Sequence, residues 1–190
     1  MLSKQEMHPK LAEFIEIVDE LVKQNGPEEV LTQKVAEHMK ELIQDESVFP
    51  DAYKQPNPDK YTLYPVYVAP DNSFSIASAV WDVGQSTPIH DHGTWGVIGL
   101  IQGEEDEIHY EIPSGSAPKK IMERKLQQGD VAVCCTSDQD VHEVACASNV
   151  PTVGIHVYGG NIGELERHVY DKTTGEEKTV VTAWDPVPAS

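Results

Sequence analysis

Three histidines carry the chemistry that this sequence advertises most clearly. His90 and His92 stand two apart in Gly84-Gln-Ser-Thr-Pro-Ile-His90-Asp-His92-Gly-Thr-Trp-Gly96. On an extended chain residues i and i+2 point the same way, so both imidazoles meet one face while Asp91 turns to the other. A third imidazole must come from another strand, and His142 in Gln139-Asp-Val-His142 follows a predicted Gly129-Asp130 turn by one strand and a loop. Three such nitrogens make a metal site with open positions, and neutral imidazoles suit Fe, Cu, Ni or Zn alike. A lone histidine is ordinarily a packed or solvated residue, which is the reading for His8, His38, His109 and His168.

Further along, His156 and Tyr158 share a strand face in Gly154-Ile-His156-Val-Tyr158-Gly159-Gly160-Asn161-Ile162-Gly163. A phenol and an imidazole set side by side can hydrogen-bond each other and hold the hydroxyl near a metal's open positions.

The elements that must position these groups follow from periodicity. From Pro9 to about Gln44 apolar residues recur at helical spacing, first at Leu11, Phe14, Ile15, Val18, Leu21 and Val22, then, past Asn25-Gly26-Pro27, at Val30, Leu31, Val35, Met39 and Leu42. This predicts two amphipathic helices. Pro50, Asp51, Pro56, Asn57, Pro58 and Asp59 mark a loop. Short β-prone runs then follow at Tyr61–Val68, Phe74–Trp81, Trp95–Gln102, Glu107–Ile112, Val131–Cys135, Val141–Cys146, Val153–Tyr158 and Thr179–Trp184, the pattern of an all-β barrel or sandwich. Ile108, Tyr110 and Ile112 alternate with Glu107, His109 and Glu111 as a buried and a wet face would. Trp81, Trp95, Tyr64 and Phe74 are expected to pack the barrel. The acidic run Glu104-Glu105-Asp106-Glu107 reads as a solvated turn, Pro113–Pro118 as a surface loop, and the Cys134-Cys135 pair as structural.

At 190 residues the chain is expected to form one domain, with a helical segment over 1–48 packed on a barrel over 60–185. Its formal charge of −18 disfavours nucleic acid and anionic membrane surfaces as partners. The same field opposes a small anionic substrate, so an acid-binding pocket needs a local cation, and the only arginines are Arg124 and Arg167. Three cysteines without a disulfide or zinc spacing suit a reducing compartment. The N-terminus MLSKQEMHPKLAEF lacks an apolar core, no run approaches the roughly 18 apolar residues of a membrane span, and a cytoplasmic protein is expected, a monomer or small homo-oligomer.

The glycine, the His-x-His five residues later, the glycine at 103 and the later His142 resemble the two motifs of the cupin superfamily. The resemblance implies a mainly β cupin fold, a double-stranded β-helix preceded here by the two helices. Most cupins add a glutamate ligand about four residues after the second histidine, where this chain has Gly96.

More closely, His90-Asp-His92-Gly-Thr-Trp-Gly-Val-Ile-Gly, Asp140-Val-His142, and Ile155-His156-Val-Tyr158-Gly with Asn161-Ile162-Gly163 resemble the bacterial thiol dioxygenases of the cysteine dioxygenase and 3-mercaptopropionate dioxygenase group. What this implies is non-haem Fe(2+) on His90, His92 and His142, with Tyr158 and His156 as catalytic residues. The substrates implied are a small thiol carboxylic acid and O2, and the product a sulfinic acid. A metal without an anionic protein ligand accepts a thiolate more readily, and metal binding lowers the thiol pKa.

The chain departs from the family in three places. The family's outer triad is Ser-x-His-x-Tyr, and Gly154 stands at the serine position. Gly93 to Val97 contains no cysteine, so the thioether that mammalian members form on the tyrosine is not expected on Tyr158. Cysteine dioxygenase proper holds the carboxylate with an arginine in a Tyr-Thr-Arg stretch, which here reads Tyr61-Thr62-Leu63. Mercaptopropionate-type members instead use an arginine after the Asn-Ile-Gly segment, about where Arg167 stands, and Arg167 is the expected carboxylate-binding residue. Two other readings are a cupin isomerase, lyase or carbon-oxidising dioxygenase, and a non-enzymatic cupin that binds a ligand. The missing glutamate and the His-Val-Tyr segment speak against the first, the intact histidine set against the second.

Overall fold

In a computed structural model, which describes residues 1–2, 6–134, 136 and 140–189, the two predicted helices come first. They are α1 (Pro9–Lys23) and α2 (Glu28–Leu42). His8 caps α1, its Nδ1 accepting from the Lys10 backbone N–H at 3.2 Å. Asn25, at a φ of 49°, turns the chain out of α1, and Pro27 precedes the first residue of α2. Leu11, Phe14, Ile15 and Val18 of α1 and Val35, Met39 and Leu42 of α2 are buried, whereas Val30, counted with that face from its spacing, is 49% exposed. Two 3-10 turns, Glu46–Val48 and Asp51–Lys54, lead into the barrel.

The remaining described residues form antiparallel strands β1 (Thr62–Val68), β2 (Ser75–Trp81), β3 (Ile89–His90), β4 (Gly96–Gln102), β5 (Glu104–Glu111), β6 (Lys119–Gln127), β7 (Val131–Cys134), β8 (His142–Cys146), β9 (Thr152–Tyr158), β10 (Arg167–Tyr170) and β11 (Glu177–Val180). One sheet runs β1-β2-β9-β4-β7, the other β11-β10-β3-β8-β5-β6. This is the expected mainly β architecture of a double-stranded β-helix.

Strands β2 and β9 are buried along their whole length, because both faces of the first sheet are covered. Ile76, Val97, Val153, Ile155 and Val157 pack with α1 and α2, and the alternate residues Ala77, Ala79 and Tyr158 face the barrel interior. Tyr64, Phe74 and Trp95 belong to the helix-side cluster, and only Trp81 of the four expected aromatics joins the interior one.

Several expectations are corrected. The acidic run is no turn but the start of β5, and the burial of that strand is inverted: Glu105 and Glu107 are buried, while Ile108 and Tyr110 are only partly so. The alternation marks two faces, but the inward one is polar. Strand β6 was not anticipated because it is an edge strand, exposed along most of its length and rich in Lys. Strand β10 was also missed, and β11 ends at Val180. The stretch up to Trp184 is no strand; Trp184 Nε1 donates to Asn161 Oδ1 at 2.9 Å, and Asp185 Oδ2 accepts from the Leu63 backbone N–H at 2.9 Å. Pro113–Pro118 is a loop as expected, and Cys135, expected to be structural, lies outside the described residues. Among those residues no helix is long and apolar enough to cross a membrane.

Met39 is fully buried in the cluster that ties α2 to Val97 and Ile101 of β4. Met39→Ala is expected to cost about 2–5 kcal/mol, read in urea unfolding as a lower midpoint with an unchanged slope.

Candidate metal centre

The second sheet brings the histidines together by register. Val169 of β10 lies opposite His90, His90 opposite His142, and His142 opposite His109. Directly opposed residues face the same way, so this row points into the barrel. Arg167, two residues from Val169, and Glu107 and Glu105, two and four from His109, point in with it. His92 follows His90 just past the end of β3, and Asp91 turns outward, accepting from the His168 backbone N–H at 2.8 Å and pairing with the rings of His168 and Tyr170.

His92 meets His90 and His142 edge to face, while His90 and His142 are tilted to each other. Ring centroids lie 5.0 Å apart for His90 and His92, 4.7 Å for His90 and His142, and 4.9 Å for His92 and His142, and one nitrogen from each falls within 4.8 Å of the others. His90 Nδ1 is 3.0 Å from the Pro88 carbonyl and His142 Nδ1 is 2.5 Å from Glu107 Oε1. An imidazole whose Nδ1–H is given to an oxygen presents the bare Nε2. His142 Nε2 is in fact buried without a hydrogen-bond partner among the described residues. Burial, reinforced by the neighbouring His142 and Arg167, pushes His90 and His92 well below the usual histidine range and keeps them neutral, the form that binds metal. This donor set fits a divalent first-row metal.

A fourth, anionic ligand has no room at position 96. A Cβ on Gly96 would stand 2.6 Å from Cys134 Sγ and 3.3 Å from the Tyr158 ring.

Glu107 was not anticipated, yet it fixes His142. It also receives Arg124 Nε and stands 3.2 Å from His109 Nε2, whose Nδ1 is 3.0 Å from Asp140 Oδ1. Burial alone would raise the Glu107 carboxyl, but hydrogen bonds from His109, His142 and Arg124 hold it far below the carboxylate range. His109 is raised to about 9, chiefly by Asp140 and then by Glu107. His109, expected to be a packed or solvated residue, is partly buried and lies between the carboxylates of Glu107 and Asp140.

The remaining expected residues converge on the same cavity. His156 Nδ1 and the Tyr158 hydroxyl are 2.8 Å apart, both buried. Burial lowers His156 to about 3 and drives the Tyr158 phenol well above its ordinary range, so both are neutral. Arg167 is 6% exposed and lines the cavity with His90, His92, His142, Tyr158 and Trp81. Leu63 also lines it, placing an apolar side chain where the resemblance has an arginine. Glu105 is the second carboxyl that the sequence reading missed. It is 2% exposed, and burial, helped by Glu107, pushes it up to about 8. A signal for both was present in the period-two spacing of Glu105, Glu107 and His109.

A double-stranded β-helix whose interior gathers three imidazoles on adjoining strands defines a metal-binding cupin. The chain belongs to the cysteine dioxygenase type I family, whose profile matches residues 1–172. Solved structures similar in fold include a double-stranded β-helix protein from Klebsiella pneumoniae (17% identity, 71% of this chain and 97% of that chain, TM-score 0.45). A second is an RmlC-like cupin from Methanocaldococcus jannaschii (10%, 56% and 85%, TM-score 0.41). A third is the DMSP lyase DddQ from Ruegeria pomeroyi (14%, 60% and 55%, TM-score 0.42).

Because Glu105 is raised from 4.5 to about 8 on folding, the stability it contributes is fully present below pH 4.5 and lost as pH rises through about 8. Urea unfolding across that window is expected to show a falling free energy, with a smaller slope in Glu105→Gln.

Proposed function

We propose that the chain is a non-haem Fe(2+) thiol dioxygenase that converts a short thiol carboxylic acid, of the 3-mercaptopropionate or cysteine type, with O2 to the sulfinic acid. The atoms balance as RSH + O2 giving RSO2H. The observation that carries the reading is Arg167, a buried guanidinium with no hydrogen-bond or ion-pair partner among the described residues, set in one cavity with the three imidazoles and Tyr158. A buried cation left unpaired is costly unless a ligand supplies its counter-charge.

His90, His92 and His142 would hold the iron. When bound, the iron supplies the redox centre at which thiolate sulfur and dioxygen react, and three neutral ligands leave it the positive charge that favours a thiolate. Arg167 binds the substrate carboxylate, offsetting the repulsion of a chain with a net charge of −18. Leu63 leaves no second cation at the place where cysteine dioxygenase proper has its arginine, which favours a mercaptopropionate-type substrate. Tyr158, held by His156, places a neutral hydroxyl against the reacting end. Trp81 and Ile98 close the cavity with apolar surface.

Anaerobically iron-loaded protein is expected to consume oxygen with 3-mercaptopropionate, and mass spectrometry to find two oxygen atoms added to the thiol. Silence across 3-mercaptopropionate, cysteine, cysteamine and mercaptosuccinate, with iron bound, overturns the reading. Arg167→Gln is expected to raise KM for the carboxylate substrate about 30-fold, the worth of a ~2 kcal/mol charge-assisted hydrogen bond, and to leave turnover of cysteamine, which has no carboxylate, within about twofold.

A further inference from the structure

His156 is tied at one nitrogen only. Its Nδ1 meets the Tyr158 hydroxyl, but its Nε2 is buried with no hydrogen-bond partner among the described residues, and so is Glu105 Oε1 on the facing sheet. The two residues are 7% and 2% exposed, and such orphaned groups are costly unless something bridges them.

Gly154 shows where the bridge goes. A Cβ built on Gly154 would lie 2.6 Å from His156 Nε2 and 3.6 Å from Glu105 Oε1, so both orphans face the space that a side chain at 154 would fill. They do not reach each other, and a site with two facing polar groups in an apolar wall is one that an ordered water occupies.

We propose that Glu105 is a positioning residue: its carboxyl group, through a water seated beside Gly154, donates to His156 Nε2 and fixes His156 as the Nδ1–H tautomer. The carboxyl hydrogen is given to the water and a water hydrogen to Nε2, with no proton changing owner. Nδ1–H then donates to the Tyr158 oxygen, which turns the phenol hydrogen away from His156 and into the cavity, toward the substrate. Without a donor at Nε2 the ring is free to carry its proton there, and Tyr158 spends its hydrogen on Nδ1 instead. The facing sheet thus supplies what the family's serine supplies from the same strand.

Charge supports the assignment. With its carboxyl raised to about 8, chiefly by burial and then by Glu107, with Arg124 opposing, Glu105 is protonated at neutral pH and able to donate, and His156, lowered to about 3 by burial, is neutral and able to accept. Two other polar groups nearby are already engaged. Arg124 is committed to Glu107, and Cys146, opposite Glu105 on β8, hydrogen-bonds toward Ser148 and Val150.

The tautomer assignment stands on this geometry alone, while its meaning for catalysis rests on the proposed thiol dioxygenase function. The test is long-range 1H–15N correlation of the histidine rings in the full chain at pH 7, loaded with diamagnetic zinc. Wild type is expected to show His156 protonated at Nδ1. Glu105→Gln, whose amide still donates, is expected to keep that tautomer, and Glu105→Leu to lose it. A wild-type His156 protonated at Nε2, or an Nδ1–H tautomer surviving in Glu105→Leu, overturns the proposal; should Glu105→Leu fail to fold, Glu105→Met, which likewise lacks a donor, is read in its place with the same outcomes. In oxygen uptake with iron, kcat is expected to fall about 10- to 100-fold in Glu105→Leu but not in Glu105→Gln, at unchanged KM. If wild type oxidises no thiol, the proposed reaction fails while the spectra still decide the role of Glu105.

Discussion

One buried carboxylate, Glu107, underlies the arrangement of the centre. It is hydrogen-bonded at once to His142 and Arg124 and ion-paired with His109, and its own burial is tolerable only because those three compensate it. Its hold on Nδ1 leaves His142 Nε2 aimed into the barrel, and the register of β3 with β8 sets His90 beside it. The interior therefore contains a closed electrostatic unit on one side of the histidines and, on the other, the uncompensated Arg167.

The first sheet contributes by being dry and thin. Its outer face is sealed by α1 and α2, so the inner face needs little bulk, and Ala77 and Ala79 lie beside His156 and Gly154 across the β2–β9 ladder. Small residues there leave the space into which His156 and Tyr158 project. The helices, remote from the chemistry, thus let one wall of the cavity consist of small side chains without exposing the sheet.

The sequence made the metal site legible because its signals are local: a His-x-His pair needs only the period of an extended strand, and His142 needs only a strand and a turn. Helices α1 and α2 were legible for the same reason, each burying a stripe set by its own spacing. The inward face of β5 was not, because hydrophobic alternation assumes an apolar interior, and an interior built around cations reverses the rule; Glu105 and Glu107 point in while Ile108 points away. Strand β6 escaped because an edge strand facing solvent has the composition of a loop. The partnership of Glu105 with Gly154 lies beyond any local signal, since it joins β5 and β9 of different sheets.

Gly96 and Cys134 have a consequence for how the protein can change over time. The sulfur of Cys134 takes up the volume that a side chain at 96 would need, with the Tyr158 ring bounding it on another side. The two positions share a single allotment of space, so they cannot drift independently: lineages that acquire a side chain at 96 should carry a smaller residue at 134, and the order of those two steps should be fixed, the shrinking change first.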